Sequence, residues 1–175
     1  CADTLVELFG TRVYARNDNG LPEVVGEILR ESKLTVATAE SCTGGLIGDL
    51  LTNVPGSSDY YLGGVVAYSN RAKMNLLGVK EKTIERYGAV SSQTVKEMAD
   101  GVCRVMGADC GIAVSGIAGP GGGTEKKPVG LVYIGVVYQG DSRVERWLFS
   151  GTRRLIKERS AYSALDLLRR VLLES

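Results

Sequence analysis

Leu34-Thr35-Val36-Ala37-Thr38-Ala39 runs straight into Glu40-Ser41-Cys42-Thr43-Gly44-Gly45, and the join between the two decides the fold. The first half mixes β-branched and small apolar residues over the length of a strand. Beyond the glycines, Leu46, Ile47, Leu50 and Leu51 recur at helical spacing and predict a helix from about 43 to 52. Ser41 therefore sits where the carboxyl end of a strand turns into the amino end of a helix, the edge of an open α/β sheet at which ligands bind. Backbone N–H groups of a first helical turn can hold an anion or a developing oxyanion. A polar turn with a capping Ser or Thr uses the same residue types, so the stretch alone leaves both readings open.

Working outward, the strand–turn–helix pattern repeats. Upstream, Leu21, Val24, Val25, Ile28 and Leu29 form an amphipathic helix with Pro22 in its first turn. Residues 1–20 read as a linker or the tail of a preceding domain, which leaves 21–175 as the domain proper. Downstream, Tyr60–Tyr68 reads as a strand in which Gly63-Gly64 marks a bulge. Ser69-Asn70 caps a short helix closed by Gly78, a second short helix lies near 80–87, and Ser91 caps a longer one carrying Val95, Met98, Ala99, Val102 and Met106. A buried strand over Asp109–Ser115 leads into the glycine-rich Gly116–Gly123. Val129–Tyr138 and Arg143–Phe149 form a hairpin around Gln139-Gly140-Asp141-Ser142, and residues 152–174 form a last helix with Leu165, Leu168 and Leu172 on its apolar face. The fold class is α/β: a three-layer α/β/α sandwich whose sheet is mostly parallel and made mixed by the hairpin.

Composition narrows the chemistry. The 175 residues carry 21 Lys and Arg against 20 Asp and Glu, a net charge of +1 that argues against a general nucleic-acid or membrane surface. The cysteines Cys1, Cys42, Cys103 and Cys110 lack metal-ligand spacing and predict reduced thiols and a cytoplasmic setting. Histidine is absent altogether. That removes Ser–His–Asp and Cys–His catalysis and histidine metal sites, so a nucleophile here must be activated by Lys, Tyr, Glu, Asp or backbone dipoles. No metal or cofactor is expected.

Three strand ends place polar residues next to small ones: Ser41-Cys42-Thr43-Gly44-Gly45, Tyr68-Ser69-Asn70-Arg71-Ala72-Lys73, and Ser115-Gly116 with its loop. If the strands are parallel and adjacent, these ends converge. Ser150-Gly151-Thr152-Arg153-Arg154 opens the last helix and can reach the same pocket. The natural nucleophile is then Ser41 and the natural base Lys73, whose pKa must fall from about 10.4 toward about 7–8. Tyr68 would relay the proton or orient Lys73. Cys42 is the alternative nucleophile, without a histidine partner. Lys73 and Arg153 can equally be solvated helix residues, and Tyr68 a core anchor. The glycine-rich loop lacks a Walker sequence and fits a phosphate cradle, a lid or a plain turn. Tyr68 and Lys73 are one residue too far apart for the Tyr-x-x-x-Lys of short-chain dehydrogenases.

Taken together with Gly88-Ala89-Val90-Ser91 and Lys127-Pro128-Val129-Gly130, these motifs closely resemble the CinA carboxy-terminal domain from about residue 21 to the end. Residues 3–18 resemble the end of the middle region of two-domain CinA proteins, so a preceding domain is expected. The family includes nicotinamide mononucleotide deamidases of pyridine nucleotide salvage. The resemblance implies an amidohydrolase in which Ser41 is the nucleophile, Lys73 the base and Tyr68 their partner. It also implies an oxyanion held near Thr43, Gly44 and Gly45, with Ser115, Arg153 and loop amides such as those of Gly121 and Gly122 on the substrate phosphate. The other reading is a non-catalytic nucleotide-binding module serving the preceding domain. A homodimer through the apolar helices is expected.

Overall fold

The computed structural model describes residues 19–174. Strand β1 (Val36–Glu40) is buried along its whole length, as a strand covered on both faces must be. β2 (Tyr61–Val66) and β3 (Cys110–Gly116) flank it, both parallel to it. β4 (Leu131–Tyr138) and β5 (Asp141–Leu148) continue antiparallel, giving the order β2-β1-β3-β4-β5. The chain moves outward from β1 to β2 and then crosses back to β3. The carboxyl ends of three parallel strands therefore share one edge, with the reversal of direction beside β1.

Helices α1 (Leu21–Glu31), α2 (Leu46–Thr52) and α6 (Arg153–Leu173) cover one face of the sheet, and α3 (Asn70–Leu77), α4 (Glu81–Tyr87) and α5 (Ser92–Met106) the other. On the first face Val25, Leu29, Ile47, Leu51, Ile156 and Leu165 meet Val36, Ile112, Val114 and Ile134. On the second, Leu77, Val95, Met98 and Val102 meet Ala37, Ala39 and Ala113, whose small side chains let α5 lie close to the sheet. Strand alternation thus sends Glu40 toward α2 and, one residue later, Ser41 toward α3.

Element ends differ from the sequence expectation for local reasons. The strand expected over 34–39 begins at Val36, because Thr35 is bound to Asp109, its N–H and hydroxyl donating to Oδ2 at 2.8 and 2.6 Å. Helix α2 starts at Leu46 rather than near 43, since Gly44 and Gly45 are left-handed, with φ of 68° and 99°. The strand expected over 60–68 spans Tyr61–Val66. Its register shifts between Val36 and Ala37, which leaves Leu62 as the extra residue of a bulge beside the glycine pair. The hairpin turns on two residues, Gln139 and Gly140 with φ of 52° and 86°, not on four. Apart from Asn19 and Gly20, the expected linker lies outside the described residues. Leu165, Leu168 and Leu172, the expected apolar face of the last helix, are buried against the sheet. Among the described residues no helix is long and apolar enough to cross a membrane.

Candidate active site

At the shared edge of β1, β2 and β3 lies a cavity of about 280 Å³ whose lining includes Ser41, Lys73, Tyr68, Ser115 and Arg153. Ser41 follows β1 directly, its N–H held by the Val114 carbonyl at 3.0 Å. Lys73 reaches it from α3, a helix capped by Ser69, whose hydroxyl accepts from the Ala72 N–H at 3.1 Å. The Lys73 Nζ donates to Ser41 Oγ at 3.0 Å and to the Ala67 carbonyl at 2.7 Å. Only 1% of Lys73 is exposed. Burial disfavours its charged form and lowers its pKa below the usual 10.5. A buried amine within hydrogen-bond reach of a buried hydroxyl is a pair that can pass a proton.

Cys42 stands beside them as a buried thiol. Burial pushes its pKa up to about 11, so it stays protonated at neutral pH and is a poor nucleophile. Between the two candidate nucleophiles, geometry and protonation favour Ser41.

Glu40 holds the turn that carries Ser41, a role the sequence reading did not assign. Its carboxylate accepts from the N–H groups of Gly45 (2.9 Å), Ile47 (3.1 Å) and Gly48 (3.0 Å), filling the amino end of α2. The Gly45 amide, expected to face an oxyanion, is thereby occupied. The amides of Thr43 and Gly44 have no acceptor among the described residues, and these two residues with Gly45 line a neighbouring cleft rather than the Ser41 cavity. The signal for Glu40 was present as a lone acid ahead of a glycine-led helix, within reach of its first turn.

The remaining candidates divide. Tyr68 is neither a core anchor nor bonded to Lys73: it is 63% exposed, and its hydroxyl accepts from Arg153 Nη2 at 2.9 Å. Arg153 also donates to the Gly119 carbonyl at 2.7 Å, joining α6, the glycine-rich loop and the end of β2 over the cavity mouth. Ser115 is buried and donates its proton to the Ala89 carbonyl at 2.8 Å, so toward a ligand it can only accept. Gly121 and Gly122 line the exposed side. Lys127, which the sequence offered only as part of a family motif, pins that loop across the cavity by donating to the carbonyls of Tyr87 (2.6 Å) and Val90 (2.7 Å). Among the described residues no cluster of three or more acidic or cysteine side chains could hold a metal ion.

A family model described as the CinA C-terminal domain matches residues 18–172. A CinA-like protein of Thermotoga neapolitana is 51% identical over 172 residues, covering 98% of this chain and 42% of that protein. A CinA-like protein of Kosmotoga olearia is 46% identical over 167 residues, covering 95% of this chain and 40% of its own length. The chain thus spans about two fifths of these relatives. Among solved structures, a competence-damaged protein (CinA) superfamily protein of Klebsiella pneumoniae superposes with a TM-score of 0.86 at 34% identity, covering 89% of this chain and 97% of that one. The competence/damage inducible protein CihA of Agrobacterium tumefaciens gives 0.82 at 38% identity, covering 89% and 98%.

Proposed function

The chain belongs to the CinA C-terminal domain family, and from that premise we propose that it is an amidohydrolase that converts nicotinamide mononucleotide to nicotinate mononucleotide and ammonia. The observation that carries the reading is the buried contact of 3.0 Å between Lys73 Nζ and Ser41 Oγ in a chain without histidine.

Neutral Lys73 takes the Ser41 proton as Oγ bonds to the carboxamide carbon. The carbonyl oxygen becomes an oxyanion, which backbone N–H groups at the Ser41 turn would stabilise. Lys73 then returns the proton to the departing nitrogen, the C–N bond breaks, and ammonia leaves an ester on Ser41. Water adds to that ester with Lys73 again as base, releasing the carboxylate and restoring the serine. Arg153 supplies a guanidinium at the cavity mouth for the substrate phosphate. Tyr68 orients Arg153 through its hydroxyl instead of relaying the proton.

Hydroxylamine tests the covalent step. Added to the turning-over enzyme, it intercepts the ester and yields the hydroxamate of nicotinate mononucleotide at the expense of the acid. Formation of the acid alone, at every hydroxylamine concentration, would mean that water attacks the amide directly.

A further inference from the structure

Among the described residues no strand pairs with the outer edge of β5, the last strand of the sheet. β5 runs beside β4 in unbroken register, from Asp141 opposite Tyr138 to Leu148 opposite Leu131. Just beyond it the Phe149 N–H donates to the Gly130 carbonyl at 2.9 Å, so the odd-numbered residues are the ones bonded to β4. The N–H and C=O groups of Ser142, Val144, Arg146 and Leu148 therefore point away from the sheet. Edges of this kind are commonly blunted by bulges or proline. The opposite edge, β2, has such a device in its bulge and in Gly63, with φ of 135°. β5 has no bulge, proline or glycine, and Leu148 at its end is 59% exposed.

The sequence of β5 is complementary to itself in one register. Across a two-fold axis the strand and its copy run antiparallel and each side chain keeps its face, so the axis passes through one residue. An axis at Arg143, Glu145 or Arg146 sets like charges directly opposite, which is destabilising. One at Ser142, Trp147 or Leu148 joins only an end of the strand. At Val144 the whole strand pairs. Arg143 then faces Glu145 of the second copy, and Glu145 faces its Arg143. Ser142 and Arg146 meet in the hydrogen-bonded pairs, and Leu148 lies over Gly140, where a Cβ would find nothing within 4 Å. Within the chain Arg143 and Glu145 contact Glu174 at 2.7 Å and Arg170 at 2.9 Å, and Glu145 also accepts from Trp147 Nε1 at 3.2 Å. A guanidinium and a carboxylate each keep bonding sites beyond these, free for a partner across the join.

We propose that the outer edge of β5 is a docking surface for a second copy of this chain. The two β5 strands pair antiparallel about Val144 and join two sheets into one, closing both open edges in a two-fold dimer. The unblocked edge supplies the hydrogen bonds, and the alternation of Arg143 with Glu145 supplies the register.

Sedimentation equilibrium of the purified chain at micromolar concentration should give the mass of a dimer. Glu145→Arg sets an arginine against Arg143 of the second copy, and Arg143→Glu sets a glutamate against its Glu145. By symmetry each change acts twice, so each should raise the dimer dissociation constant at least about tenfold. Mixing the two variants restores opposite charges at both contacts and should bring back a mixed dimer. Val144→Pro is the independent variant, since it removes an outward N–H that β4 does not use; it should be folded by circular dichroism and monomeric. A monomeric parent, a dimer indifferent to the charge reversals, folded variants that stay apart when mixed, or a folded Val144→Pro dimer would each overturn the proposal. The readout needs no turnover, so it stands or falls apart from the deamidase reading.

Discussion

At the residue scale the account rests on one amine that must be able to lose its proton. Lys73 is buried without an acidic partner among the described residues, and the lowered pKa has two consequences with defined signs. Activity should rise with pH as Lys73 deprotonates, along a limb lying below the 10.5 of an ordinary lysine, and Lys73→Arg should erase that limb together with turnover; a pH–rate profile of both proteins checks it. Folding stability moves in the same direction with pH. Below the folded pKa the native state carries the full cost of the buried ammonium, and this is relieved as pH rises toward the unfolded pKa. Lys73→Met should therefore gain most over the parent at acid pH, with the advantage shrinking on the alkaline side; denaturant unfolding at several pH values reads it. Glu40 is the other residue with leverage. Glu40→Ala abandons two buried N–H groups and one part-buried one and should lower stability by roughly 2–3 kcal/mol or more, whereas Glu40→Gln, keeping one acceptor oxygen, should lose less.

At the scale of elements, the positions that matter are those where two segments nearly touch. A methyl at Gly101 on α5 would strike the Leu77 carbonyl oxygen at the end of α3, the helix that carries Lys73. Gly101→Ala should cost about 1–3 kcal/mol and reduce activity beyond its effect on folding, because α3 must shift; comparing kcat with the unfolding midpoint separates the two effects. The strands, the α5 and α6 helices and the convergence of Ser41 with Lys73 were legible in the sequence, since period and capping residues are local signals. The role of Glu40, the start of α2 and the partner of Tyr68 were not. Each depends on which backbone groups a side chain finds after folding: the α2 amides for Glu40, and for Tyr68 an arginine 85 residues away. Likewise, spacing along the chain does not record that Ser115 donates to the Ala89 carbonyl and the Gly45 N–H to Glu40.

Across the whole molecule, the three-layer design divides labour. The face bearing α1, α2 and α6 holds the larger apolar cluster, while the other brings Lys73 to the end of β1. Burial pushes the Cys42 and Cys110 thiols up to about 11 and about 12 and makes them unreactive in the native state. Peptide-level alkylation at pH 8 should label both only as fast as the chain unfolds, and a rapid reaction at Cys42 would mean that the Ser41 cavity opens more than its packing implies. At the amino ends of β1 and β3, hydrogen bonds from Thr35 hold the Asp109 carboxyl below its usual range. That contribution is present above the unfolded carboxyl pKa and is lost as pH falls through the folded one, so Asp109→Asn should be less stable than the parent at pH 7 and converge with it in acid.

The central claim is that Ser41 and Lys73 act as one unit on an amide, and ammonia release from nicotinamide mononucleotide tests it most directly. The purified chain should release ammonia steadily, and Ser41→Ala and Lys73→Ala should each reduce the rate by at least about 10³-fold while remaining folded, the double variant losing little more than either alone. A Ser41→Ala protein that still turns over at the parent rate, or a folded parent that binds the nucleotide and releases no ammonia, would contradict it.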